Sequence, residues 1–410
     1  MTYPLAGNAD LSASWSFDGE RIVFVRRQRG RSSLWLLAAE GGEPHELLFD
    51  QYNSLDPAWS PDSRRIVFSS DRAGSVNLWE IEIDSQRLRQ LTAGSGSDVE
   101  PAIARDGRLA YAQFSHQVDL YCLQIDSAKE ERLTFSTRDN FHARFSPDGK
   151  KIVYQSNRTG NDEIWLLDVE TKAERPLTNH PAIDGAPDWS PDGREIVFLS
   201  NREEDGFHLW VMNAEGESLC RLTKQPIPGT VEGYQTVTLR CSPDGKVIGY
   251  LAPSDQGMAL WILNKDSQNA RPRLFNLLRF DWYQDSHHVV YTGKSADGSG
   301  VLEIRVANLE TGQERLLHQG PHAELVVAPD GRSVAYCHAI SHLNMNLYLL
   351  RLLPPDSPSG LPQPLGEPVQ MTHGEGLWHV HNGGFSPDGK KIVYSRDTDQ
   401  SDIYVIENYK

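Results

Sequence analysis

Nine of the chain's 14 histidines lie from His287 onward. His379 and His381 form an H-x-H in GLWHVHNGG, and in an extended segment alternate side chains point the same way. His322 and Glu324 show the same alternation in GPHAELVV. Two or three imidazoles and a carboxylate, aimed at one point by neighbouring segments, would make a donor set for zinc, manganese or another divalent transition ion. His338 and His342 (CHAISH) and the acidic run Glu203-Glu204-Asp205 are expected to be solvated loop residues. Cys122, Cys220, Cys241 and Cys337 are scattered without a CxxC pair, so they read as small hydrophobes rather than a disulfide framework. No G-x-S-x-G nucleophile elbow occurs, which argues against a self-contained serine peptidase.

The elements that must position these residues are set by an internal repeat. A turn of the S-P-D-G kind recurs with its Asp at Asp18, Asp62, Asp106, Asp148, Asp192, Asp244, Asp285, Asp330 and Asp388, at spacings of 44, 44, 42, 44, 52, 41, 45 and 58. Each unit carries a short run before the turn (PAWS, ARFS, PDWS), a β-branched run after it (RIVFS, KIVYQ, EIVFL), then a run with an aromatic near its start (LWEI, IWLL, LWVM), and closes on a segment such as RPLT. That is four short strands per unit with no helical periodicity. Pro and Asp at the centre suit a type I turn, and Gly tolerates the left-handed conformation after it.

A four-stranded unit of about 45 residues cannot bury both faces alone, and radial packing of such sheets solves this. The fold class is therefore all-β, with residues 1–410 expected to form a single β-propeller of nine blades; eight blades with one irregular unit is the alternative. Thr2–Leu5 resembles a fourth strand and is expected to complete the last blade and close the ring. The recurring aromatic (Trp35, Trp79, Tyr121, Trp165, Trp210, Trp261, Tyr348, Tyr404, with Arg305 in the seventh unit) is expected to fill the space between blades.

First strands line a propeller's channel. Three positions before the residue that precedes S-P-D-G, or four in the sixth unit, lies a column at the channel mouth: Ser12, Asp56, Glu100, His142, Ala186, Val237, Arg279, Glu324 and Asn382. Asp56, Glu100, His142, Arg279, Glu324 and Asn382 are its candidate ligand contacts; the competing reading is that such polar side chains only bond nearby backbone amides. Two insertions break the period. Residues 224–237 lengthen a loop on the mouth face and add Tyr234 as a candidate contact, while residues 353–368 form a Pro-rich excursion on the turn face.

The units DPAWSPDSRRIVFSSDR and APDWSPDGREIVFLSNR resemble the TolB-type propeller repeat, also called PD40, a bacterial WD40-like repeat. The resemblance spans essentially the whole chain. It implies a propeller and leaves function among protein-binding TolB domains, gating propellers of peptidases, and oligogalacturonate lyases. The H-x-H with a histidine from the preceding unit also resembles the metal site of those lyases, which would make His322, His379 and His381 ligands of a divalent ion. The lyase pattern has a glutamine three residues before the pair, where this chain has Gly376.

Composition narrows the partners. Lys plus Arg total 40 against 56 Asp plus Glu, a net charge of −16, which repels phosphate backbones and anionic lipid. No run approaches the ~20 apolar residues of a membrane helix, and the N-terminus lacks a signal pattern. The expectation is a monomeric, non-enzymatic, TolB-like scaffold that binds a protein or peptide over the channel-mouth face, without nucleic acid or membrane insertion. A cytoplasmic setting is expected, or a periplasmic one if a leader has been trimmed. The alternative is a metal-dependent carbohydrate enzyme or binder acting by β-elimination on uronates.

Overall fold

The repeat turn is built by its own side chains. In the fourth repeat Ser146 Oγ donates to Asp148 Oδ1 (2.6 Å) and accepts from the Lys151 amide (2.9 Å), while Asp148 Oδ1 also accepts from the Lys150 amide (3.1 Å). Gly149, at φ 71°, closes the turn with its amide on Ser146 O (2.8 Å). The Ser146 hydroxyl and the Lys150 amide hold the Asp148 carboxyl below its usual range. The same Ser–Asp bond recurs at Asp18, Asp62, Asp192, Asp244 and Asp388.

The S-[ND]-R that ends the second strand is a latch. Asn201 Oδ1 accepts the Ile183 amide (2.8 Å), and Arg202 reaches back to Asp184 on the first strand (2.7 and 2.9 Å) while stacking 5.0 Å from the Trp210 ring centroid. Arg158 does the same with Asn140 and Trp165, and Arg72 with Ser54 and Trp79. One cation thus ties the first strand to the aromatic column.

The computed structural model describes residues 9–409 apart from 29–30, 49, 51, 95–96, 116, 137, 204, 230–237, 266–268, 296, 298, 342–343, 358–359, 375–377, 399 and 408. The described residues form strands and no helix, so none is long and apolar enough to cross a membrane as a helix. Repeats one, two and four to seven each fold into a four-stranded antiparallel sheet in chain order. In repeat eight His322–Val327, Ser333–Ser341 and Asn344–Leu353 pair in order.

Repeats three and nine exchange halves. Leu109–Ser115 pairs with Gln400–Ile406 of the last repeat, whereas Val118–Gln124 pairs with Lys391–Thr398. The chain groups accordingly into two compact units, residues 1–116 with 399–410, and residues 117–398. Repeat order anticipated one ring in which each repeat is a blade; the strand pairing differs because repeats three and nine each divide between the units. Thr2–Leu5, expected to close that ring, lies outside the described residues.

Among the described residues the first unit has three sheets, with first strands Ala9–Trp15, Ser54–Trp59 and Ser97–Ile103 in that order. In the second unit the first strands follow one another around a cycle: Asn140–Phe145, Asp184–Trp189, Leu239–Cys241, Leu277–Trp282, His322–Val327 and Trp378–Phe385, which returns to Asn140–Phe145. Each junction has an apolar core. Ile164 and Leu166 of one sheet cluster with Trp189 and Phe198 of the next, and Trp210 joins the same cluster, as the aromatic column anticipated.

Candidate functional site

The channel-mouth column coincides with a β-bulge. The pairing register slips between Phe141 and Arg144, between Gly185 and Asp188, between His322 and Leu325, and between His381 and Gly384. At the bulge His142 (φ 54°) and Ala186 (φ 51°) adopt left-handed backbone, as do Ser12, Asp56 and Glu100 in the first unit. Non-glycine residues hold that conformation at a cost of about 1–2 kcal/mol each, and the bulge redirects a side chain that a regular strand would send to one face.

In the second unit the bulges gather four of the predicted residues. Arg279 Nη2 lies 3.6 Å from Glu324 Oε1, and His381 Nδ1 lies 4.0 Å from the same oxygen. His381 Nε2 meets Asp397 Oδ2 at 3.0 Å, and its ring stands edge-on to Phe141 at 5.9 Å. Burial acts to lower the His381 pKa, but the bond to Asp397 and the charge of Glu324 outweigh it and raise the value. His142, buried beside Arg279, Arg144 and His381, is pushed down to about 3, mainly by burial, and stays neutral. The cluster therefore sets Arg279 beside Glu324 and the His381 imidazole beside Asp397.

The other predicted residues lie elsewhere. Asp56 and Glu100 neighbour each other in the first unit, where burial and then the Glu100 charge raise the Asp56 carboxyl despite a Glu100 backbone bond. Tyr234, Val237 and His342 lie outside the described residues, as do the side chains of His379 and Asn382. His322, 1% exposed, does not join His381; it packs on His318 (4.9 Å between ring centroids), Tyr336 (4.7 Å) and His338 (5.5 Å). His338, expected to be solvated, lies against His322 and Tyr348. Among the described residues no group of three or more His, Cys, Asp or Glu is arranged to hold a metal ion.

A second ring of polar residues lies two positions further along the same strands, and the sequence reading missed it. Arg144, Asp188, Arg240 and Asp281 occupy one repeat position in four successive sheets, alternating in sign. They line a cavity of about 370 Å³ at the turn end of the channel, walled by the prolines of the S-P-D-G turns. The alternation stitches neighbouring sheets. Asp188 Oδ2 accepts the Cys241 amide (2.8 Å) and Asp281 Oδ2 the Val327 amide (2.9 Å), while the carbonyls of Arg144 and Arg240 accept the indoles of Trp189 (3.3 Å) and Trp282 (3.2 Å). Arg240 Nε lies 3.5 Å from Asp281, and Arg144 donates to Gly383 O. Burial lifts Asp188 to about 7 against the pull of Arg144, and raises Asp281 as well. Arg144 Nη2 and Arg240 Nε are buried with no hydrogen-bond partner. The signal in the sequence was the Arg-Asp-Arg-Asp series itself, one residue before Phe145, Trp189, Cys241 and Trp282, the residues that lead into each turn.

A closed cycle of four-stranded antiparallel sheets with a polar channel defines a β-propeller. The TolB beta propeller domain model matches residues 6–157 and 108–277, and the chain belongs to that family. A candidate TolB from Agrobacterium tumefaciens is similar in structure, with a TM-score of 0.56 at 17% identity, covering 69% of this chain and 99% of that one. TolB from Acinetobacter baumannii follows at 0.48 and 14% identity, covering 86% and 80%. The first of these likenesses shows fold alone. The Agrobacterium fabrum protein Atu1656 is 37% identical over 76 residues, 18% of this chain, and the match spans only 26% of that relative.

Proposed function

We propose that this chain is a non-enzymatic TolB-type propeller that binds a protein or peptide partner through the channel of its second unit. The observation that supports it is the pair of buried arginines, Arg144 and Arg240, which line a cavity of about 370 Å³ and of which Arg144 keeps Nη2 buried with no hydrogen-bond partner. An unsatisfied buried donor costs about 1–3 kcal/mol, and a carbonyl or carboxylate oxygen of a guest would relieve it. Asp188 and Asp281 between them offer acceptors to backbone amides, so an extended peptide strand, with both groups, suits the ring better than a simple anion. Over the mouth, Glu324, Arg279 and His381 set a polar rim.

The alternative, metal-assisted uronate chemistry through His322, His379 and His381, needs His322 beside His381, and His322 packs on His318 and Tyr336 instead. The test is selection of random extended peptides on the intact protein, with enriched peptides titrated by fluorescence anisotropy. Arg144→Gln and Arg240→Gln, each alone, are expected to weaken them about 10-fold or more, the loss of one charge-assisted bond. No enriched peptide, or affinities indifferent to both substitutions, would sink the proposal.

A further inference from the structure

Junctions between sheets in this chain have two halves. The outgoing half is a residue pair on the third strand, apolar except in the second repeat, where Leu78 is followed by Glu80; the incoming half is the residue that ends the next first strand, an aromatic at Trp59, Phe145, Trp189, Trp282 and Phe385 and Ile103, Cys241 or Val327 elsewhere. In the first unit Leu34 and Leu36 cluster with Trp59, whose indole donates to Ser14 O at 3.0 Å. In the second unit Ile164 and Leu166 cluster with Trp189, and Leu260 with Trp282. The first of these outgoing residues (Leu34, Leu78, Leu120, Ile164, Leu209, Leu260, Ile304 and Leu347) is 0–4% exposed in every repeat but the last.

The first unit leaves one half of each kind uncovered. On Gln400–Ile406, the edge strand of its third sheet, Ile403 is 72% exposed and Val405 55%. At the other end Trp15 is 59% exposed, with Leu11 and Phe17 beside it also exposed, whereas Trp59, Trp189 and Trp282 in the same repeat position are at most 6% exposed. Leaving one such aromatic in water forgoes about 1.5–3 kcal/mol, and the edge strand has no fourth strand among the described residues.

We propose that a second copy of this chain covers both surfaces: Trp15 of each copy packs on Ile403 and Val405 of the other. The occupant follows from complementarity already present in the chain, because Trp15 is the incoming half and Ile403 with Val405 the outgoing half of the junction formed by Trp59 with Leu34 and Leu36. Closure after two copies follows from number. Among the described residues six sheets complete the cycle of the second unit, and the first unit supplies three. Two first units would together complete such a cycle, with two identical head-to-tail contacts related by a twofold axis. This departs from the monomer that the sequence suggested and adds an interface separate from the channel.

Sedimentation and light scattering of the full chain test it, with a mass expected at twice the 46.0 kDa of one chain. Trp15→Glu and Ile403→Glu, each at an exposed site, are expected to be folded monomers by circular dichroism and thermal melting. The decisive step is mixing. In each variant alone both contacts carry one damaged half; in the mixture one contact is intact, so Trp15→Glu with Ile403→Glu is expected to recover association, while a Trp15→Glu, Ile403→Glu double variant added to itself does not. A wild-type monomer at tens of micromolar, a mass that keeps growing with concentration, or dimers unaffected by either substitution would each overturn the proposal.

Discussion

Asp188 is the residue whose environment most directly sets a measurable pH dependence. Burial lifts its carboxyl from 3.8 to about 7, Arg144 opposing. A carboxyl whose folded value is raised binds its proton more tightly in the folded state, so stability falls as pH rises between the two values and levels off above the upper one. At about 1.4 kcal/mol per pH unit the full cost of ionising it in place is about 4 kcal/mol, an upper limit because Asp188 is only partly buried and solvent screens part of it. About 2–3 kcal/mol of that cost develops between pH about 5 and about 8. Asp188→Asn removes the ionisation and keeps an oxygen for the Cys241 amide, now 2.8 Å from the carboxylate. Urea titrations followed by tryptophan fluorescence across that range are expected to show the variant gaining about 2 kcal/mol or more on the wild type as pH rises. Parallel stability curves for the two proteins would refute the argument, because they would mean that the channel does not penalise a charge at this position.

Three further outcomes follow from the same kind of accounting. Arg202→Met strips the partner from Asp184, whose side chain is fully buried, and is expected to cost about 3–5 kcal/mol in urea unfolding; adding Asp184→Asn should restore part of the loss. His381→Gln removes a group whose pKa is raised above 6.5, despite burial, by Asp397 and Glu324. Its stabilising contribution is full below the unfolded value and disappears as pH climbs past the folded one, so the variant should be more damaging at pH about 5.5 than at about 9 in thermal melts. Gly249→Ala places a Cβ 2.8 Å from the Phe280 ring and is expected to lose about 1–3 kcal/mol, read as a lowered urea midpoint.

The parts of this molecule legible in its sequence are those that each repeat determines by itself. The Ser146–Asp148 bond and the left-handed Gly149 need only four or five consecutive residues, and they stand where the S-P-D-G motif put them. The mouth column was legible as a position: four of its members do mark the bulge in the second unit or its rim. Which of them meet was not. His322 and Glu324 are two residues apart, yet the bulge between them sends Glu324 toward Arg279 and His381 and leaves His322 among His318, Tyr336 and His338. An alternation argument assumes a regular strand, and the bulge is where that assumption fails. The Arg144-Asp188-Arg240-Asp281 series was visible in type but hidden in purpose, because its partners are backbone amides and carbonyls of the neighbouring sheet.

The exchange between repeats three and nine shows a deeper limit. A strand chooses its partner by the side chains it meets, and here the two choices present nearly the same ones. In the observed pairing Tyr111 stacks on Tyr404 at 5.7 Å and Tyr121 on Tyr394 at 6.0 Å. Pairing within each repeat would set Tyr111 against Tyr121 and Tyr394 against Tyr404, the same tyrosine couples in another combination. The flanking positions are equally interchangeable, since Leu120 and Ile403 precede those tyrosines and Cys122 and Val405 follow them. Cross-strand pairs discriminate by about 0.2–1 kcal/mol each, and identical pairs discriminate by nothing. The preference must come from outside the strands. Val118–Gln124 gains its own fourth strand in Lys129–Arg132, with Leu120 buried, and completes the cycle of the second unit. Gln400–Ile406 is left on an edge with Ile403 in water. The exchange therefore transfers the uncovered surface from a ring that can close to a three-sheet run that cannot close alone, which is why the last strand of the chain is the place where a second copy has something to bury.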